Sequence, residues 1–340
     1  MPHIKFFKDL TKKSVPEAGG KGASLGEMTK AKIPVPPGFV VVASAFDRFL
    51  KETQLEEEII ARLKEVKPDD INSVEKASET IRDTIHDRPF PKDLEKGILT
   101  AFDKLDSHPT LALPSGRGGK LFVAVRSSAT AEDSAIASWA GELETYLNIE
   151  RKNVTAAVRT CWSSLFTPRA IFYRHEKNLI DHYVSVAVVV QKMVQSEISG
   201  IAFTVHPVTE DRDQMIIEAG YGLGEAIVSG QVTPDSYIVS KSEMSIIDIN
   251  VGTQTKKLIR DVKSKNTFEG KEKDVANKWL ELGTEGEKQK LSGKQIIELA
   301  KICANIEKHY KFPCDIEWAY ESGKFYITQS RPITTLKINS

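Results

Sequence analysis

The chain has 340 residues, 40 % hydrophobic and 28 % charged, with 47 Lys and Arg against 47 Asp and Glu. That length can bury two or three cores of ordinary size, while a formally neutral chain offers no bulk attraction for nucleic acid or an anionic membrane. The longest apolar run, 184–190, is too short to span a bilayer and residues 1–10 lack the apolar stretch of a signal peptide, so a cytoplasmic protein is expected.

In chain order, residues 14–50 mix glycines, the prolines Pro34, Pro36 and Pro37 and an apolar run, a pattern of loop, helix, turn, strand and helix. Residues 55–106 carry a charged, apolar-periodic helical pattern. The Gly- and Pro-dense segment 111–120 reads as an exposed loop before a strand at 121–125. Val158, Cys161, Trp162, Leu165 and Phe166 fit one amphipathic helix across 154–178. Strand patterns follow at 184–190, 199–205, 214–219 and 236–239, with a last pair at 314–320 and 324–329. Between them, the polar, lysine-rich stretch 241–290 predicts an exposed excursion with short strands. Cys161, Cys303 and Cys314 lack CxxC spacing and read as inert thiols. Without regular βαβ alternation the class is α+β or mixed α/β.

Four stretches carry chemistry. EAGGKGASLGEM, 17–28, surrounds Lys21 with glycines at 19, 20, 22 and 26 and runs into a helix, which suits an anion held by close backbone, one lysine and a helix N-terminus. A flexible turn with a solvated lysine would look the same. In VAVRSSATAED, Arg126 follows an apolar strand, and a strand stopping at Arg126, Ser127 and Ser128 would aim a guanidinium and hydroxyls at one phosphate. Pairing of Arg126 with Glu132 or Asp133 is the plainer alternative. Downstream, Gly141 marks a turn and Thr145 can donate to a phosphate. In IIEAGYGLGEAIVSGQVTPDSY a strand ends at Glu218, whose carboxylate could accept from ribose hydroxyls, before a turn at Gly222 and Gly224. In CDIEWAYESGKFYITQSRPI, Asp315 and Glu317 alternate with apolar residues and share a face, as do Gln329 and Arg331 on the hairpin partner. Two acids, an amide oxygen and an arginine on one surface suit Mg²⁺ and a transferring phosphoryl group, although cross-strand ion pairs would give the same pattern.

Taken together and in order, GGKGASLGEM, VAVRSSATAED, GYGLGEAIVSGQVTPD and DIEWA followed by ITQSRPITT closely resemble the nucleotide-binding part of the phosphoenolpyruvate synthase, pyruvate phosphate dikinase and rifampicin phosphotransferase family, over about residues 4–336. The resemblance implies an α+β, ATP-grasp fold with ATP between two lobes, 1–190 and 191–336, and a tail at 337–340. It implies that Lys21 and Arg126 hold ATP phosphates, that Glu317 and Gln329 bind Mg²⁺ with Asp315 beside them, and that Arg331 stabilises the phosphoryl group. Backbone groups of Gln191, Lys192, Met193 and Val194 would hold adenine, and Glu218 the ribose.

Two departures stand out. Glu142 replaces a glutamine common among relatives. None of the seven histidines lies in the Gly-Gly-x-x-Ser-His-Ala context of the family's swivelling domain. The expected partner is therefore a histidine-carrying phosphotransfer domain in trans, with AMP as product and pyruvate, a phenol or another small hydroxyl compound as final acceptor. Met1 and the stop soon after QSRPITT lean toward a separate subunit, as in phenylphosphate synthase, rather than an excised domain. An ATP-grasp ligase forming an acyl phosphate and ADP, and an ATP sensor without turnover, remain as alternatives; the intact set of metal and transfer residues argues against the sensor.

Overall fold

The computed structural model describes residues 3–107, 120–130, 144–177, 179, 184–261, 277–334 and 336. From the N-terminus come β1 (Ile4–Phe6), α1 (Val15–Lys30), β2 (Gly38–Val41), α2 (Ala43–Glu52), α3 (Glu56–Lys64), α4 (Ile71–Asp87) and α5 (Lys92–Asp106). They are followed by β3 (Val123–Ala129), β4 (Thr145–Ile149), α6 (Val154–Ser163), α7 (Pro168–Glu176) and β5 (Val186–Lys192). The remainder is β6 (Ile198–Phe203), β7 (Gln214–Tyr221), α8 (Glu225–Val228), β8 (Asp235–Ser240), β9 (Ser245–Asn250), β10 (Lys256–Arg260), β11 (Asn277–Glu281), α9 (Gly293–Tyr310), β12 (Cys314–Glu321) and β13 (Lys324–Pro332).

The strands form an antiparallel five-stranded sheet, order β1-β2-β5-β3-β4, a six-stranded one, order β13-β12-β6-β7-β8-β9, and the ribbon β10-β11. Strand alternation divides the residues of the first sheet. Phe39, Val41, Val123, Val125, Val188 and Val190 face a core built with α2 to α7. Val40, Ala187 and Val189 turn the other way, into a second core shared with α1, α9 and the apolar face of the six-stranded sheet, including Ile217, Tyr237, Ile316 and Trp318. That shared core ties the two sheets together and leaves the opposite, polar face of β12 and β13 for the site.

Three expectations need correction. The helix of 154–178 is two helices, because Pro168 cannot continue the α6 ladder and Thr167 caps α7 by accepting from the Ala170 amide at 3.2 Å. The strand expected at 121–125 runs on to Ala129. β7 likewise passes Glu218 and ends at Tyr221. The excursion is as predicted where described: β9 is an edge strand with Ile247 and Ile249 exposed, and β10 and β11 form a ribbon. All three cysteines are buried, and burial pushes the Cys314 thiol up to about 12. Among the described residues no helix is long and apolar enough to cross a membrane.

The excursion is anchored by a buried ion pair that the sequence does not advertise. Lys290 Nζ lies 2.8 Å from Asp235 Oδ1, with both side chains fully buried. Asp235 also accepts from the Gly252 and Lys290 amides at 3.0 and 2.7 Å and from the Tyr237 hydroxyl at 2.6 Å, and Lys290 donates to the Gly252 and Gly286 carbonyls. Removing one partner leaves a buried charge uncompensated, so Lys290→Met is expected to cost about 3–5 kcal/mol of stability in urea unfolding. A loss below about 1 kcal/mol would contradict this role.

Candidate active site

Arg126 sits within β3, where register places Val189 of β5 and Thr145 of β4 on either side of it and on the same sheet face. Its side chain, 8 % exposed, leaves the first sheet and reaches the second. Nη2 donates to Gln329 Oε1 at 2.6 Å and to Glu317 Oε2 at 3.3 Å, and Nη1 donates to the Thr328 carbonyl at 2.9 Å and to Gln191 Oε1 at 3.4 Å. One guanidinium thus gathers residues of β5, β12 and β13.

From the Ser322-Gly323 turn the hairpin register runs to Trp318 opposite Ile327 and then shifts by one residue, an irregularity the short turn does not predict, which sets Glu317 opposite Gln329 and Asp315 opposite Arg331. Arg331 donates from Nε to Asp315 Oδ2 at 2.9 Å, and its Nη2 lies 2.8 Å from the same oxygen. The row continues through Ile201 of β6 to Glu218 of β7, so Gln329, Glu317 and Glu218 project from one face. Burial pushes the Asp315 carboxyl up, against the pull of Arg331, and neighbouring Glu317 adds to the rise. Glu218 is raised by burial first and by Asp315 second. These carboxylates are crowded in poorly hydrated surroundings, a setting that favours a cation.

A cleft of about 570 Å³ runs between α1 and this hairpin, lined among others by Gly20, Lys21, Asp315, Gln329 and Arg331. α1 breaks its helical path at Gly19 (φ 67°), so a new helical segment starts at Gly20 and Lys21. A side chain at Gly19 would put its Cβ 2.2 Å from Ser128 Oγ. The glycines do not all approach a ligand as the sequence suggests. Gly19 packs on Ser128, Gly22 on Val40 and Gly26 on Leu10, and only Gly20 of the four lines the cleft.

The serines after Arg126 also depart from expectation. Ser127 points to the opposite face of β3, where its hydroxyl meets the Glu144 carbonyl at 3.0 Å and Ser164 Oγ at 3.0 Å. Ser128 is fully buried beneath α1. Two-residue alternation from Arg126 could have placed both. In residues 191–194, the interlobe hinge to which the resemblance assigns adenine, the Lys192 and Met193 amides already donate to the Pro37 and Phe122 carbonyls. The Met193 side chain packs with Leu147 and Val232 against buried Leu223 and Leu258, an apolar patch beside the hinge, while Val194 packs on Ala319. Thr145, Glu218, Glu317 and residues 191–194 are not among the cleft-lining residues. Gly141, Glu142, Glu132 and Asp133 lie outside the described residues.

The family described as "Pyruvate phosphate dikinase, AMP/ATP-binding domain" matches residues 15–340. This chain belongs to it. As a member it carries the α+β, ATP-grasp fold that the resemblance implies, and it corresponds to that family's AMP/ATP-binding domain. The probable phosphoenolpyruvate synthase of Methanocaldococcus jannaschii is 46 % identical over 339 residues, covering 99 % of this chain and 27 % of that protein. The probable phosphoenolpyruvate synthase of Archaeoglobus fulgidus is 44 % identical over 336 residues, 98 % of this chain and 42 % of that protein. The phosphoenolpyruvate synthase of Pyrococcus furiosus is 42 % identical over 373 residues, 98 % of this chain and 44 % of that protein. The chain therefore spans less than half the length of these relatives. Among solved structures, D-alanyl-alanine synthetase A of Vibrio cholerae aligns over 76 % of this chain and 54 % of its own at 10 % identity, with a TM-score of 0.28, too low to carry a structural argument.

Because burial raises the Glu218 carboxyl, its ionisation opposes folding. The penalty is absent below the ordinary glutamate value and is complete above the raised one. Glu218→Gln should therefore raise the Tm of the ligand-free protein at about pH 8 and leave it nearly unchanged at about pH 4. Calorimetric scans at both pH values check this, and a variant stabilised only at the acidic end would reverse the sign.

Proposed function

We propose that this chain is the ATP-binding unit of a dikinase-type phosphotransferase. It holds ATP between its two lobes, 1–190 and 191–336, and presents the β-phosphorus to a histidine on a separate swivelling domain or partner subunit. The imidazole nitrogen bonds to the β-phosphorus as the α–β bridging P–O bond breaks, and AMP leaves. The pyrophosphorylated histidine then loses its outer phosphate to water or orthophosphate and carries the remaining phosphoryl group to pyruvate, a phenol or another small hydroxyl acceptor.

The observation that carries this reading is the meeting of Arg126 with Glu317 and Gln329, beside a cleft lined by Lys21, Asp315 and Arg331. In the reading, Lys21 and Arg126 hold phosphate oxygens, Arg331 neutralises charge on the group in flight, and Thr145 donates to a phosphate. Residues 191–194 and Glu218 hold adenosine. Phosphoryl transfer needs positioning and charge neutralisation more than covalent help from the protein.

The oxygen donors fit Mg²⁺. Glu317 Oε2 and Gln329 Oε1 already converge on a cationic group, and Asp315 shares their strand face. Among the described residues no three His, Cys, Asp or Glu cluster as a metal cage, and Mg²⁺ prefers one or two carboxylates completed by water and substrate phosphate. Bound there, the ion would neutralise phosphate charge, with Glu317 and Gln329 as ligands.

The decisive experiment incubates the chain with ATP and Mg²⁺, alone and with a histidine-bearing domain in trans, and follows AMP and ADP. AMP that depends on the added domain is expected; ADP from the chain alone would replace this reading with the ligase chemistry. Glu317→Gln should keep its circular dichroism while losing at least about 100-fold in Mg²⁺-dependent turnover, and a fully active variant would sink the metal assignment.

A further inference from the structure

Lys21 is the one phosphate-holding cation of the reading above that stands on a helix rather than on a sheet, so something must fix that helix against both sheets. Two serine hydroxyls are placed to do this, Ser128 across the stretch from Ala18 to Gly22 that contains Lys21, and Ser24 one turn further along α1. At the near side Ser128, fully buried, donates to the Ala18 carbonyl at 3.0 Å and lies 3.4 Å from the Gly22 amide as acceptor. It thereby brackets the break at Gly19, which fits only because Gly19 has no side chain to strike it. Ser128 is two residues beyond Arg126 on the same face of β3.

At the far side Ser24, one helical turn beyond Lys21, donates to the Ser330 carbonyl at 2.8 Å. Ser330 lies between Gln329 and Arg331. The Tyr310 hydroxyl of α9 stands 3.2 Å from both the Ser24 hydroxyl and the Ser24 carbonyl. Each serine thus connects the Lys21 helix to a strand that bears other groups of the site.

We propose that Ser24 and Ser128 are positioning residues that set the distance of Lys21 from Arg126 on one side and from Gln329 and Arg331 on the other. The proposal rests on the ATP-binding reading of the site. Neither hydroxyl needs to touch nucleotide; each acts through Lys21. A serine holding only the fold would lower stability without any dependence on the lysine, whereas a positioning serine loses its effect on binding once the lysine amine is gone.

The test measures calorimetric affinity of the full chain for the Mg²⁺ complex of a non-hydrolysable ATP analogue, with Tm recorded for every variant. Ser24→Ala and Ser128→Ala should each weaken binding about 5- to 20-fold, and Ser24→Thr, which keeps the hydroxyl, should restore it. In a Lys21→Met background the same serine changes should cost no further affinity, although their effect on Tm persists. Serine losses that remain undiminished without the lysine amine, or serine variants that bind as tightly as the parent while Lys21→Met is impaired, overturn the proposal alone. If Lys21→Met itself leaves affinity intact, it is the ATP-site reading that fails. Should Ser128→Ala not fold, the partly exposed Ser24 pair of variants decides.

Discussion

The arrangement of the site depends on one guanidinium crossing from one sheet to the other. Arg126 starts on β3 of the five-stranded sheet and ends among the oxygens of Gln329, Glu317 and Thr328 on the six-stranded one. At 8 % exposure the interaction is shielded from solvent, and hydrogen bonds to a charged group are stronger than neutral ones. In the proposed reading, the side chain that gathers these oxygens in the free protein is also the one that meets phosphate charge. The shared apolar core behind it holds the sheets close enough for the crossing to occur.

The polar face of the hairpin is built with a surplus of acid. Asp315 and Glu218 are both pushed up by burial, and Arg331 answers only one of them directly. In the proposed reading a divalent ion would offset that surplus. On that same reading, structural stability and ligand binding draw on the same few carboxylates, a common reason for an active site to be less stable than its surroundings.

Much of this was legible in sequence because strand geometry is simple. Alternation placed Asp315 with Glu317 and Gln329 with Arg331, while the register that sets Glu317 opposite Gln329 comes from a one-residue shift beyond Trp318 that the short Ser322-Gly323 turn does not reveal. The same rule, applied past Arg126, would have separated Ser127 from Ser128; reading the segment as a strand end hid this. What could not be read were the long-range partners. Nothing local to Asp235 announces Lys290, and nothing in a glycine-rich stretch distinguishes a glycine that approaches phosphate from one that lets a helix lie on a serine. Those choices are made by packing between segments apart in the chain, by 55 residues for Asp235 and Lys290 and by more than a hundred for Gly19 and Ser128.

The Asp235–Lys290 lock also has an evolutionary consequence. It holds both ends of the segment between Gly252 and Lys290 at one buried point, so a change in the length of chain between them need not break that anchor. Closing a longer loop costs only slightly more entropy. The two residues that anchor it can be exchanged only together, since each single step would pass through an unpaired buried charge.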